Sequence, residues 1–88
     1  MVERSVLVQN SHGIHARPAA EIVKVAGKFR ANITMIRDDL EVNCKSIMGV
    51  MMLAAECGAT VGIRADGDDA EAAVDALAAV IASRFGER

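Results

Sequence analysis

Aromatic side chains are nearly absent from this 88-residue chain, which has two Phe, no Trp and no Tyr. Single-stranded nucleic acid is held by stacking bases on flat side chains, so that class of binder is the first to be excluded. A formal net charge of -2 opposes duplex binding, which rewards a basic surface. Long apolar runs are missing too. The longest, Ile47–Ala55 (broken by Gly49) and Ala76–Ala82, are far too short to span a bilayer, so no membrane insertion is expected. The opening MVERSVLVQN has no basic-then-apolar leader, so a cytoplasmic location is expected.

Cysteine is scarce as well: Cys44 and Cys57 occur without a C-x-x-C spacing. Both are expected as packed, reduced thiols, with a disulfide or redox pair as the alternative. Added to His12 and His15, they fit no finger or ribbon spacing, so no metal and no cofactor are expected. There is one proline, Pro18, and no Pro/Ser linker, internal repeat or low-complexity tract. The length allows one small domain, residues 1–88.

Half of the residues are hydrophobic, 52%, and their spacing carries the fold. Glu3–Gln9 alternates around Val6 and Val8 and reads as a strand, and Asn10–Gly13 as a polar turn. Ala16–Gly27 has helical spacing, with Ala19, Ala20, Ile22, Val23 and Ala26 on one side, Pro18 at its opening and Gly27 as its stop. Asn32–Arg37 and Leu40–Cys44 alternate on either side of Asp38–Asp39, a hairpin pattern. Ser46 precedes a short helix over Ile47–Leu53. Thr60–Ala65 reads as the last strand. A final helix spans Asp69–Arg84, its stripe running through Ala70, Val74, Leu77, Ala78, Ile81 and Phe85. The order βαββαβα predicts an α+β open-faced β-sandwich, a four-stranded antiparallel sheet with three helices on one face.

Charge is unevenly divided. Residues 1–45 hold seven Lys/Arg against five acids, and residues 46–88 hold three against seven. A locally basic face suited to acidic partners follows. On the first helix, Arg17, Glu21, Lys24 and Lys28 share one mostly basic side.

The chemistry concentrates in Ser11-His12-Gly13-Ile14-His15-Ala16-Arg17-Pro18. His15 ends a loop and opens a helix, where the first N–H groups lack intrahelical partners and the dipole is positive. An anion on His15 would meet the backbone amides of Ala16 and Arg17, and the Arg17 guanidinium would add a charged donor. A neutral imidazole is a nucleophile near neutral pH. The residues therefore suit a histidine that accepts and returns a phosphoryl group; they also suit a helix-capping histidine beside a surface arginine. Ser46 reads as the N-cap of its helix. Of the apolar residues on that helix, Ile47 and Val50 are expected to pack inward while Met48, Met51 and Met52 reach the surface, where flexible thioethers fit several partners.

Gly13-Ile14-His15-Ala16-Arg17-Pro18-Ala19 resembles the active-site signature of the HPr family, phosphocarriers of the bacterial sugar phosphotransferase system. Lys45-Ser46-Ile47-Met48-Gly49-Val50-Met51 is similar to that family's regulatory serine site, and length and element order match throughout. The resemblance implies sheet order 1-4-2-3. It implies phosphorylation of His15 by Enzyme I, with Arg17 assisting, and transfer to the IIA domains of sugar permeases. It further implies regulatory phosphorylation of Ser46 by an HPr kinase/phosphorylase, with a transcription factor reading the phosphoserine. Lys24, Ile47, Met48, Met51 and Met52 become the partner-binding surface of a monomer. His12 departs from the small polar residue usual in the family. It reads as a solvated loop residue whose charge, when protonated, favours a phosphoryl group on His15.

With no substrate pocket in view, the expectation is a stoichiometric carrier rather than an enzyme. Two other classes compete. A regulatory relative, acting through Ser46 or the nitrogen-linked branch, is disfavoured because His15 is retained. A ferredoxin-like RNA-binding module is disfavoured because surface aromatics and basic strands are lacking.

Overall fold

Strand alternation and register sort the sheet into a packed face and an open one. The computed structural model describes residues 1–86. In chain order the elements are β1 (Val2–Leu7), α1 (Ala16–Ala26), β2 (Asn32–Arg37), β3 (Leu40–Asn43), α2 (Ile47–Met52), β4 (Thr60–Asp66) and α3 (Ala70–Ala82), followed by a 3-10 turn at Arg84–Gly86. The sheet order is β1-β4-β2-β3, with every pair antiparallel. Both the fold class and the strand order match the expectation.

Register places Val61, Ile63 and Ala65 of β4 beside Val6 of β1 and Ile33 and Met35 of β2, with Val42 of β3 completing the row. The helices close over this face. Ala19, Ile22 and Ala26 of α1, Val50 of α2, and Ala70, Ala73, Val74, Leu77 and Ile81 of α3 are buried against it. Burying a Leu or Ile side chain contributes roughly 1.5–3 kcal/mol, so this row dominates the stability. The opposite face carries Glu3, Thr34, Glu41 and Arg64, and Arg64 Nη2 reaches Glu41 Oε1 at 2.6 Å across β2. Such an exposed pair contributes little to stability. Among the described residues no helix is long and apolar enough to cross a membrane.

Several expectations needed correction. β1 ends at Leu7 rather than Gln9, although Val8 stays buried and its N–H donates to the Ala59 carbonyl at 2.8 Å. β3 stops at Asn43, before Cys44, and β4 runs one residue further, to Asp66. Ala20 is exposed and Val23 half-buried. The packed stripe of α1 is centred on Ala19, Ile22 and Ala26, and at about 100° per residue Ala20 faces away from it. Leu40 is exposed on the edge strand. α3 ends at Ala82, not Arg84; Phe85 is still buried but lies in the 3-10 turn with φ 55°.

The thiols also divide. Cys44 is buried, and desolvation pushes its pKa up to about 12, whereas Cys57 is exposed, contrary to the expectation that both are packed. Because the thiolate is the reactive form, Ellman's reagent at pH 8 should titrate one thiol in the native protein and two in urea. Two fast thiols before unfolding would contradict the burial of Cys44.

Candidate functional site

The loop between β1 and α1 is built around two short backbone contacts. Gly13 adopts φ +65°, and a Cβ there would lie 2.4 Å from the Ala55 carbonyl oxygen. The next amide, Ile14 N–H, donates to that same carbonyl at 2.8 Å, and the Ile14 side chain is buried. Only glycine meets both the left-handed backbone and the missing space. Asn10 braces the turn from inside. Its buried Nδ2 donates to the Gly13 carbonyl at 2.7 Å, while Gly13 N–H donates to the Asn10 carbonyl at 3.0 Å.

This loop delivers His15 to the N-cap of α1, half-buried and extended at φ -92°, ψ -165°. The first helical hydrogen bond runs from Ala19 N–H to the His15 carbonyl at 2.9 Å. The amides of Ala16 and Arg17 therefore precede the intrahelical ladder, where the dipole is positive. Pro18, third in the helix and buried, has no N–H to lose there and stiffens the first turn. The His15 side chain does not cap the helix. Arg17 is exposed, and its Nη2 donates to the Phe85 carbonyl at 3.4 Å, linking the first turn of α1 to the turn after α3. His12 is exposed, its ring centroid 6.0 Å from that of His15 and nearly perpendicular to it.

Ser46 caps α2. Its Oγ accepts from Gly49 N–H at 3.1 Å, with the backbone extended at φ -121°, ψ 119°. α2 packs against α1, so the exposed Lys24 and the thioethers of α2 lie on neighbouring helices. Met48, Met51 and Met52 are exposed as expected. Ile47 is not packed inward: it is 44% exposed, and Val50 alone of α2 is fully buried. A six-residue helix turns one narrow face to the core, and Val50 occupies it. Ile47 is thus exposed, as the three methionines are.

Sequence reasoning missed Asn10, the Ala55 carbonyl and the Phe85 carbonyl. Asn10, three residues before Gly13, had a usable signal as a local side-chain-to-backbone bond. The two carbonyls had none, since any residue supplies one. A cavity of about 380 Å³ lies at the β2–β3 edge, lined by Asn32, Thr34, Glu41, Asn43 and Lys45 among others, and does not include His15.

A family model described as the PTS HPr component phosphorylation site matches residues 2–83. The chain belongs to the HPr family. It is 48% identical to the phosphocarrier protein HPr of Cupriavidus necator over 87 residues, covering 99% of this chain and 98% of that protein. It is 35% identical to the phosphocarrier protein NPr of Shewanella violacea over 98% of this chain and 94% of that one. Among solved structures, the HPr of Thermoanaerobacter tengcongensis superposes with a TM-score of 0.95 at 45% identity, covering 100% of this chain and 99% of that one. Phosphocarrier function in the phosphotransferase system comes with membership of the HPr family, which is one of carriers rather than catalysts.

The Gly13–Ala55 contact makes a direct prediction. Gly13→Ala combines a left-handed alanine with a clash, and should cost about 1–3 kcal/mol and displace the loop before His15. Urea unfolding and the Ile14 amide chemical shift measure both effects; an unchanged midpoint with an unmoved Ile14 amide would refute it.

Proposed function

We propose that His15 is the residue that carries the phosphoryl group. A ring nitrogen attacks phosphorus on phosphorylated Enzyme I; the new N–P bond forms as the donor's bond to phosphorus breaks. The reverse exchange passes the group to a IIA domain. The observation that supports this most directly is the position of His15, on a braced loop one residue before the Ala16 and Arg17 amides at the first turn of α1. Those amides and the Arg17 guanidinium supply fixed positive charge where phosphoryl oxygens would sit. The ring of His12 lies on the same loop, its centroid 6.0 Å from that of His15. Reaction at a partly exposed ring suits a carrier, which must offer one group to successive partners. Lys24, Ile47, Met48, Met51 and Met52 are the surface assigned to Enzyme I and the IIA domains, presented by a monomer in the cytoplasm.

Intact-mass spectrometry after incubation with phosphoenolpyruvate, Mg²⁺ and Enzyme I tests the assignment. One acid-labile phosphate is expected on the wild type and none on His15→Ala; a label surviving in the variant would overturn it. The nitrogen-linked alternative, which the retention of His15 disfavours, predicts faster labelling by that branch's own kinase than by Enzyme I.

Ser46 is proposed as a regulatory site for a kinase using ATP, with a phosphoserine-reading transcription factor downstream. A phosphate of about -1.5 to -2 charge at an N-cap is tolerated locally but changes the surface that partners must meet. Ser46→Asp should therefore raise the KM of Enzyme I for this chain by roughly tenfold with little loss of fold. Unchanged transfer kinetics would count against the regulatory reading.

A further inference from the structure

The loop carrying His15 rests on the segment that follows α2, and that segment is gripped by one side chain on β2. Arg37, the last residue of β2, points to the helix side of the sheet. Its Nη1 donates to the Leu53 carbonyl at 3.2 Å and the Ala54 carbonyl at 2.6 Å, and its Nη2 donates to Glu56 Oε1 at 2.6 Å. The residue between these anchors is Ala55, whose carbonyl accepts Ile14 N–H at 2.8 Å and sits against Gly13. Ala54 is held at φ 50°, a left-handed conformation that alanine rarely adopts, so something outside the segment must maintain it. A guanidinium is suited to the task. It is planar, always charged and able to bond several acceptors in fixed directions. It also meets the carbonyls at the C-terminal end of a helix, where a cation is favoured.

We infer that Arg37 is a positioning residue for His15, acting through the Leu53–Glu56 segment on which Gly13 and Ile14 are seated. The chain of contacts is short: Arg37 to the Leu53 and Ala54 carbonyls, Ala55 to Ile14, Ile14 to His15. Glu56 belongs to the same bracket. Its carboxyl is held below the usual range, first by its own backbone N–H and then by Arg37. The Glu56 Cα would lie 2.8 Å from a Gly13 Cβ, so its backbone too forms part of the seat. Arg64 provides an internal comparison: it makes an arginine–glutamate contact of the same length, 2.6 Å, on the open face of the sheet. The kinetic consequence rests on the proposed role of His15; the structural one does not.

The test compares Arg37→Ala, Arg37→Lys and Arg64→Ala in the full chain. Arg37→Ala should speed hydrogen exchange at the Ile14 amide about tenfold relative to β4 amides. It should also lower the kcat for phosphorylation by Enzyme I about tenfold with KM nearly unchanged, because a misplaced nucleophile loses rate rather than binding. Arg37→Lys, able to hold a carbonyl but not all three acceptors, should fall between, and Arg64→Ala should match the wild type in both readouts. Wild-type Ile14 exchange and kcat in Arg37→Ala would overturn the inference. Equal changes in Arg64→Ala would overturn it too, since the effect would then be one of general stability. If the wild type itself accepts no phosphoryl group, the carrier assignment of His15 fails, and the Ile14 exchange still decides whether Arg37 holds the loop.

Discussion

A methyl group on Gly13 would come within 2.4 Å of the Ala55 carbonyl oxygen, a separation that no real Cβ contact sustains. Two backbone segments 42 residues apart in sequence are in contact there because one of them lacks a side chain. Everything at the candidate site depends on that approach. It lets Ile14 bury its side chain and donate its N–H to Ala55, which sets the direction in which His15 enters α1. Were the loop to lift away, the helix would persist through its own ladder and its packing on α3. His15 would then stand on a floppy lead instead of a braced one.

The separation of tasks follows from the two-layer architecture. A small sheet packed on one face puts its stability into Val61, Ile63, Met35, Leu77 and Ile81, all of them fully buried. The helix layer is then available for presentation. α1 offers a basic side, and α2, with one fully buried residue, leaves Ile47 and three methionines in solvent. Exposed apolar side chains on a short helix are a cost in water that a merely structural helix would not carry, which is why they count toward docking.

Most of the fold was legible because alternation and helical spacing are local. The hairpin at Asp38–Asp39, the N-cap at Ser46 and the entry of α1 at His15–Pro18 all follow from residues within one turn of each other. What the sequence concealed depends on distant neighbours. The burial of Cys44 against the exposure of Cys57 turns on where β3 and the loop before β4 meet the core. Ile47 was expected inward because it is apolar, but a helix of six residues has too narrow a buried face to take it along with Val50. Phe85 was placed on a helical stripe that ends three residues earlier, at Ala82; it reaches the core by a change of backbone instead. The role of Arg37 was invisible for a different reason. Its partners are mainly main-chain carbonyls, which leave no trace in residue type.

His15 and Ser46 occupy the same structural position, the N-cap of a helix in extended conformation, yet the fold uses them differently. Ser46 spends its hydroxyl on the Gly49 amide; His15 caps nothing with its ring. A group on the His15 ring would add acceptors beside the Ala16 and Arg17 amides, and its removal would return the N-terminus of α1 to its starting state. A phosphate on Ser46 would add three strong acceptor oxygens to the capping position itself, at the positive end of the helix. Under the proposed roles, carriage at His15 and regulation at Ser46 would share one helix layer, each at a helix N-cap and neither on the sheet beneath.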